Sequence, residues 1–342
     1  MSEVLVRTQG RAGRITLNRP KALNAITYGM VKEIHAALER WRNDTAVEIV
    51  LIDAVGDKAF SAGGDIADLY NNGKQGDYAF GHQFWRDEYR MNFALQAYDK
   101  PIISFLQGFT MGGGMGVGCH GSHRVVGASS QIAMPECGIG LVPDVGGSLI
   151  LANAPNALGA YFGITGARMN AANAILAGFA DMYIPEDKWP ALISALEENA
   201  DLSLLTAAAK AAPDRLSDAQ LHEIDHVFNT ADLTEICARL EASSDELTAS
   251  ALKAVQRNSP LAMAVTLRMM LLLHGVNDIR EALKLEYRFT ARAMEHGDFL
   301  EGIRAAIIDK DRRPKWKHKL GELPQADIDA MMAPLGALEL TF

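Results

Sequence analysis

Apolar residues at Met30, Val31, Ile34, Ala37 and Leu38 recur every three to four positions, the spacing of one helix face, and predict an amphipathic helix over residues 28–42. On either side of it the pattern changes. Residues 4–7 and 14–17, joined through the glycine-bounded segment 10–13, predict a hairpin. The runs EIVLIDA (48–54) and PIISFL (101–106) are largely apolar stretches bounded by turn residues, as in strands buried on both faces. A polar turn, NRPKALNA (18–25), follows the hairpin, and a second helix is expected over 80–98, carrying Phe84, Trp85 and Tyr89. Strand, glycine loop and helix recur at intervals of roughly 50 residues, which suggests stacked turns of similar units.

After Gly147 the texture becomes small-residue and helical over 148–176, leading to a last short strand over 179–184 (FADMYI). Beyond 187 no strand is expected. Helices are predicted over 187–199, 203–211, 217–228, 234–256, 260–274, 277–296 and 299–309, punctuated by Pro213 and Pro260. The expected division is a mixed α/β part, residues 1–200, and a helical part, residues 201–342.

Residues 108–147 concentrate the candidate chemistry: GFTMGGGMGVGCHGSHRVVGASSQIAMPECGIGLVPDVGG. Gly112, Gly113 and Gly114 follow a strand and open a helix. Glycines there leave backbone N–H groups bare and allow close approach, and the helix start carries partial positive charge, which suits a developing oxyanion. A companion loop, AFSAGGD (59–65), breaks from a second strand end into small residues before a short helix. Each run is also compatible with simple tight packing of helix on strand. Two carboxylates follow the glycines, Glu136 on a turn and Asp144 eight residues later.

The remaining composition mostly excludes. A net charge of −9 gives a nucleic-acid role no electrostatic support. No stretch approaches the ~18 apolar residues of a membrane span, and the richest run, 261–273, contains Arg268 and reads as a buried helix. The N-terminus reads as a mature start without a secretory signal. Cys119, Cys137 and Cys237 show no CxxC spacing, so they suggest neither a disulfide framework nor zinc, and a reducing cytoplasm is expected. Cys137, beside Glu136, reads as a buried thiol rather than a nucleophile. His120 and His123 lack a third ligand, so no metal is expected. Neither a GxSxG elbow nor a GxxxxGK[ST] phosphate loop is present. The basic stretch DKDRRPKWKHK (309–319) reads as a solvated surface or as a neighbour of substrate phosphates.

The motifs RITLNRPKALNAI, AFSAGGD, GFTMGGGMG and MPECGIGLVPDVGG, in this order, resemble the enoyl-CoA hydratase/isomerase (crotonase) family. The C-terminal segments NSPLAMAVTLRM, EYRF and HGDFLEGIRAAIIDK extend the resemblance over nearly the whole chain, to a branch that hydrolyses short β-hydroxyacyl-CoA thioesters. The resemblance implies an α/β fold: a spiral core of ββα turns with an α-helical C-terminal region covering the acyl pocket. It implies an oxyanion hole from the backbone N–H groups of Ala62 and Gly113. Coenzyme A contacts would come from Lys21, Ala22, Leu23, Gly63, Gly64, Asp65 and Gly112. Asp65 is equally readable as the N-cap of the next helix. Glu88, in WRDEYR, would line the substrate pocket or lie on a solvated helix face. Glu136 would attack the thioester or activate water, and Asp144 would bind the β-hydroxyl or orient the water. Coenzyme A is part of the substrate and no separate cofactor is implied. A trimer or hexamer is compatible, and the pathway implied is valine breakdown.

One departure from the family decides between chemistries. Hydratases carry a second glutamate two residues after the GGG, where this chain has Gly116. Adding water across a double bond needs a base for the water and an acid for the adjacent carbon. Thioester hydrolysis demands less of the acid, because an alkyl thiolate with a pKa of roughly 8.5 leaves readily. The pattern therefore favours hydrolysis. The alternatives are a hydratase or isomerase acting on an unsaturated acyl-CoA through Glu136 alone, and a non-catalytic acyl-CoA-binding protein.

Overall fold

The strands of the computed structural model, which describes residues 2–342, are β1 (Val4–Gln9), β2 (Ala12–Leu17), β3 (Ile49–Ala54), β4 (Ala59–Ser61), β5 (Ile102–Leu106), β6 (Phe109–Met111), β7 (His123–Val126), β8 (Gln131–Ala133) and β9 (Met182–Tyr183). From β3 onward they sort by parity of position. β1 and β2 form the expected antiparallel hairpin, with Val4 opposite Leu17. β2, β3, β5, β7 and β9 then run parallel in one sheet, and β4, β6 and β8 form a second, parallel sheet. Each turn of chain places one strand in each sheet, which is the repeating ββα unit expected above. β4 and β6 lay inside expected loops; at three residues each they are too short for an alternating pattern to show.

In chain order the helices are α1 (Tyr28–Arg42), α2 (Ala67–Lys74), α3 (Tyr78–Gln96), α4 (Gly113–Gly118), α5 (Gly147–Ala152), α6 (Leu158–Thr165), α7 (Ala171–Leu176) and α8 (Trp189–Asn199). There follow α9 (Ser203–Ala208), α10 (Asp218–Phe228), α11 (Leu233–Ala242), α12 (Glu246–Arg257), α13 (Pro260–Leu273), α14 (Ile279–Ala293), α15 (Phe299–Ile303) and α16 (Gln325–Met332). α1 matches its predicted span, with Thr27 capping the Met30 amide. The single helix expected over 234–256 is two, because Ser243 ends α11 and the Asp245 side chain caps α12 at Leu247. The last predicted helix is α15 followed by a π-turn, Arg304–Ile308. α16 was not expected, since Met331 is its only buried residue.

The chain divides into two compact units, and not at a single boundary near residue 200. One holds the residues up to Asp65, Arg90–Ala133 and Arg168–Arg215; the other holds Ile66–Tyr89, Met134–Ala167 and Leu216–Phe342. The first contains both sheets. Alternate residues Ile49 and Leu51, Ile103 and Phe105, with Ala12 and Val125, form a buried face covered by Trp189, Leu192 and Leu196 of α8 and Leu205 of α9. The Trp189 ring lies 5.4 Å from Phe105 and its indole N–H donates to the Ile184 carbonyl at 2.9 Å. Arg14 of β2 is buried between Asp53 of β3 and Glu197 of α8, hydrogen-bonded to both. Arg14→Met should lower stability by about 3 kcal/mol, because buried Glu197 and part-buried Asp53 would lose their cation. Urea denaturation measures this, and an unchanged midpoint would show that the triad contributes nothing.

The second unit is helical. α13 runs through its interior, with Leu261, Met263, Val265, Leu267 and Met269 buried and Arg268 exposed. α14 is strongly amphipathic and buries Ala282, Leu283, Phe289 and Ala293 along one stripe.

Candidate active site

The first unit joins the two loops that the motifs singled out. The side-chain amide of Asn24, in the turn after the hairpin, donates to the Ala59 carbonyl at 2.9 Å, and Arg19 pairs with Asp65 at 3.0 Å. Ile26 bridges to Gly64: its N–H donates to the Gly63 carbonyl at 2.8 Å and its carbonyl accepts from Asp65 N–H at 2.7 Å. Lys21 and Ala22 are exposed in the same turn and Leu23 is half-buried. The glycine helix approaches this loop closely. A Cβ on Gly114 would lie 2.6 Å from the Ser61 Cβ, and one on Gly63 would lie 3.4 Å from the Met111 carbonyl. Only glycine at 114 permits that approach.

Two expectations change here. The Ala62 amide is engaged, donating to the Leu23 carbonyl at 2.9 Å, so it is not a free donor. A parallel bridge uses the groups flanking Gly64, which turns Gly64's own amide to the other side. Among the described residues neither the Gly64 nor the Gly113 amide has an intramolecular acceptor. Gly113 is the first residue of α4, where helical N–H groups have no partner within the helix, and Gly112 before it turns at φ 47°. Asp65 is not the N-cap of α2; the cap position is Ile66, with no side-chain bond, and the Asp65 carboxylate is held by Arg19.

The second unit gathers carboxylates. Glu136 begins a 3-10 turn, Glu136–Ile139, and is buried, with its Oε2 unpartnered. Asp144 is buried and accepts from the Tyr89 hydroxyl at 2.8 Å. Glu88, next to Tyr89 on α3, is 3% exposed, so the solvated-face reading does not hold. Glu286 of α14, fully buried, accepts from the Gly146 amide at 2.9 Å, the Ser148 amide at 3.2 Å and the Ser148 hydroxyl.

Burial is the main force on all four acids, because a low-dielectric interior disfavours the charged form. It raises Asp144 to about 7 and Glu286 to about 8. Glu136 is pushed well above the usual carboxylate range by burial and then by the charge of Asp144, with a smaller push from Glu286. Glu88 rises for the first two reasons. Burial therefore pushes all four acids towards their protonated forms, as at sites of acid–base chemistry.

Glu286 and Tyr89 were missed as site residues. A signal existed: Glu286 falls on the apolar stripe of Ala282, Leu283, Phe289 and Ala293, and Glu88 falls on that of Phe84, Trp85, Met91 and Leu95. A carboxylate on a buried stripe is out of place unless the site uses it.

The turn bearing Glu136 is clamped from the C-terminal segments. Ser259 N–H donates to the Cys137 carbonyl at 2.9 Å, and the Ser259 hydroxyl donates to buried Asp298 at 2.7 Å. Gly302 of α15 lies against the Ile139 carbonyl, which a Cβ there would approach to 2.1 Å. Gly302→Ala should cost roughly 1–3 kcal/mol by overpacking and lower turnover about 10²-fold by displacing Glu136. Denaturant titration and steady-state kinetics check both; a stable variant with full turnover would show the turn to be independent of α15.

Cys137 is buried, with its sulfur 3.5 Å from both the Gly163 carbonyl and Thr266, and burial pushes its thiol to about 12, which leaves it unreactive. His123 Nδ1 lies 2.9 Å from the Ser122 hydroxyl. Among the described residues no group of three or more His, Cys, Asp or Glu side chains could hold a metal ion, and no helix is long and apolar enough to cross a membrane. The stretch 309–319 is tied down in part. Arg304 pairs with Asp309 and Asp311 at 2.7 Å each, and Lys317 N–H donates to Asp298 at 2.9 Å.

The family model for enoyl-CoA hydratase/isomerase matches residues 12–332. Proteins named mitochondrial 3-hydroxyisobutyryl-CoA hydrolase are similar over their length: that of Bos taurus is 36% identical, covering 100% of this chain and 91% of its own, and that of Homo sapiens 34% identical, covering 99% and 91%. Among solved structures, an enoyl-CoA hydratase from Rhodobacter sphaeroides 2.4.1 is 56% identical with a TM-score of 0.97, each chain covered to 100%. A carnitinyl-CoA dehydratase from Mycobacterium thermoresistibile is 38% identical with a TM-score of 0.95, covering 100% of this chain and 99% of its own. The alternating two-sheet turns, the paired glycine loops and these matches agree, and the chain belongs to the enoyl-CoA hydratase/isomerase (crotonase) family.

Proposed function

We propose that this protein hydrolyses the thioester of a short β-hydroxyacyl-CoA, of the 3-hydroxyisobutyryl-CoA kind, to the free acid and coenzyme A. The observation that carries this reading is the distribution of carboxylates. Position 116, where hydratases of the family carry a glutamate, is glycine, while Glu136 has Asp144 as a charged neighbour. The names of the full-length relatives support the same reading.

The oxyanion role goes to the amides of Gly64 and Gly113, in place of Ala62 and Gly113. Two fixed donors stabilise the negative oxygen of the tetrahedral intermediate, and each is worth roughly 10²–10³ in rate. The attacking role goes to Glu136. Its carboxylate either bonds to the acyl carbon, expelling the thiolate and leaving an anhydride for water to cleave, or takes a proton from the water that attacks. Asp144, hydrogen-bonded to Tyr89, orients that water or accepts the substrate's β-hydroxyl. Glu88 lines the acyl end. The turn at Lys21, Ala22 and Leu23, with Gly63, Asp65 and Gly112, holds coenzyme A.

The second reading is hydration of an unsaturated acyl-CoA, favoured by the name of the 56%-identical enoyl-CoA hydratase from Rhodobacter sphaeroides. A substrate panel separates the two. Release of free thiol from 3-hydroxyisobutyryl-CoA or 3-hydroxypropionyl-CoA supports hydrolysis. Loss of enoyl absorbance without thiol release supports hydration and overturns the proposal. Tight acyl-CoA binding with neither signal also overturns it, in favour of a binding protein.

A further inference from the structure

Glu286 belongs to the EYRF segment, and none of the roles assigned above uses it. It is fully buried, and its two carboxylate oxygens are divided between consecutive parts of one loop. Oε2 accepts from the Gly146 amide at 2.9 Å; Oε1 accepts from the Ser148 amide at 3.2 Å and from the Ser148 hydroxyl. That loop begins at Asp144. It turns sharply, with Gly147 N–H donating to the Asp144 carbonyl at 2.7 Å, and it forces Val145 to φ 51° and Gly146 to φ 82°. A β-branched residue at positive φ is strained by roughly 1–3 kcal/mol and persists only where its surroundings over-determine it. Here the bonds from Glu286 to residues 146 and 148 supply that determination. One turn further along α14, Thr290 lies 3.5 Å from the Tyr89 hydroxyl, whose proton goes to Asp144. A single helix thus braces Asp144 through its backbone and through its hydrogen-bond partner.

We propose that Glu286 is the positioning residue for Asp144: it locks the strained 144–148 loop through three hydrogen bonds, and its carboxylate faces the acids of the site. The inference rests on the hydrolytic reading for its kinetic part only. The groups facing Glu286 are Asp144 and Ser148 from the loop, Glu136 from the 3-10 turn and Tyr89 from α3; none is a cation. Once ionised, Glu286 adds to the forces that keep Glu136 protonated. Removing it should make Glu136 easier to ionise.

The test compares Glu286→Gln and Ser148→Ala with the parent. Glu286→Gln keeps the shape and some acceptor capacity but loses the charge; Ser148→Ala removes one donor and leaves the acid. In Glu286→Gln, hydrogen exchange at residues 144–148 should rise. The turnover number for thiol release should fall about 10²-fold, the cost of small misplacement, with the Michaelis constant within a few-fold. The acid limb of the pH–rate profile should move to lower pH. Ser148→Ala should raise exchange less and leave the limb in place. Unchanged exchange over 144–148 in Glu286→Gln overturns the positioning role whatever the activity. Raised exchange with an unmoved acid limb and full turnover overturns its coupling to catalysis. If the parent releases no thiol, the hydrolytic reading fails, and the exchange measurement still decides whether Glu286 holds the loop.

Discussion

Replacing Glu136 by glutamine is expected to lower thiol release by about 10²–10⁴-fold, the range of a lost general base, while acyl-CoA binding stays within a few-fold of the parent. The amide has nearly the volume of the acid, so the 3-10 turn and its clamp by Ser259 and Gly302 persist. What disappears is the oxygen that can become a nucleophile or base. Its Oε2 is buried without a partner, so an uncharged group costs the fold little there. Calorimetric binding of a non-hydrolysable acyl-CoA analogue, set beside the rate, checks the split. Retention of full turnover would remove Glu136 from the mechanism.

Asp144→Asn is expected to separate stability from activity. Burial raises Asp144 from an ordinary 3.8 to about 7. The folded state therefore binds this proton more tightly than the unfolded chain. Its contribution is fully present below pH ~4 and is lost as the pH climbs towards 7. Asparagine does not titrate and can still accept from the Tyr89 hydroxyl. The variant should match the parent near pH 4 and exceed its stability at pH 8, by at most about 4 kcal/mol, the shift converted at 1.36 kcal/mol per pH unit. Turnover should fall by roughly 10²-fold or more at every pH. Urea midpoints at both ends of this range are the measurement. A variant less stable than the parent at pH 8 would show that the Asp144 carboxylate is stabilised by its surroundings rather than strained by them.

What the chain disclosed on reading alone follows from the range of each interaction. α1 was legible to its ends, because its buried stripe and its Thr27 cap are local. The β1–β2 hairpin was legible for the same reason. β4 and β6 were not, since three residues carry no period and their pairing depends on strands in the next turn, with Ala59 opposite Phe109 and Phe109 opposite Gln131. Glu136 and Asp144 were found through motif likeness, yet their burial was invisible, because it is completed by α3 and α14. Ala62 rather than Gly64 was chosen because which amide is free depends on Leu23 and Ile26, some forty residues upstream. Glu286 was quoted for its resemblance and given no role, because its partners lie 138 and 140 residues away along the chain.

The interleaving of the two units sets the order in which this protein can be completed during synthesis. The sheet-bearing unit has its last segment once Arg215 has left the ribosome, but the other has only Ile66–Tyr89 and Met134–Ala167 by then and awaits everything from Leu216 onward. Phe84 and Trp85 emerge early, whereas Phe299, whose ring Trp85 meets at 5.8 Å, arrives more than two hundred residues later. Until then the nascent chain exposes aromatic surface with nothing of its own to cover it, the condition under which chaperones are recruited and premature termination yields aggregates. A chain stopped at residue 200 would contain both glycine loops, Glu136 and Asp144, and could not assemble a working catalyst from them.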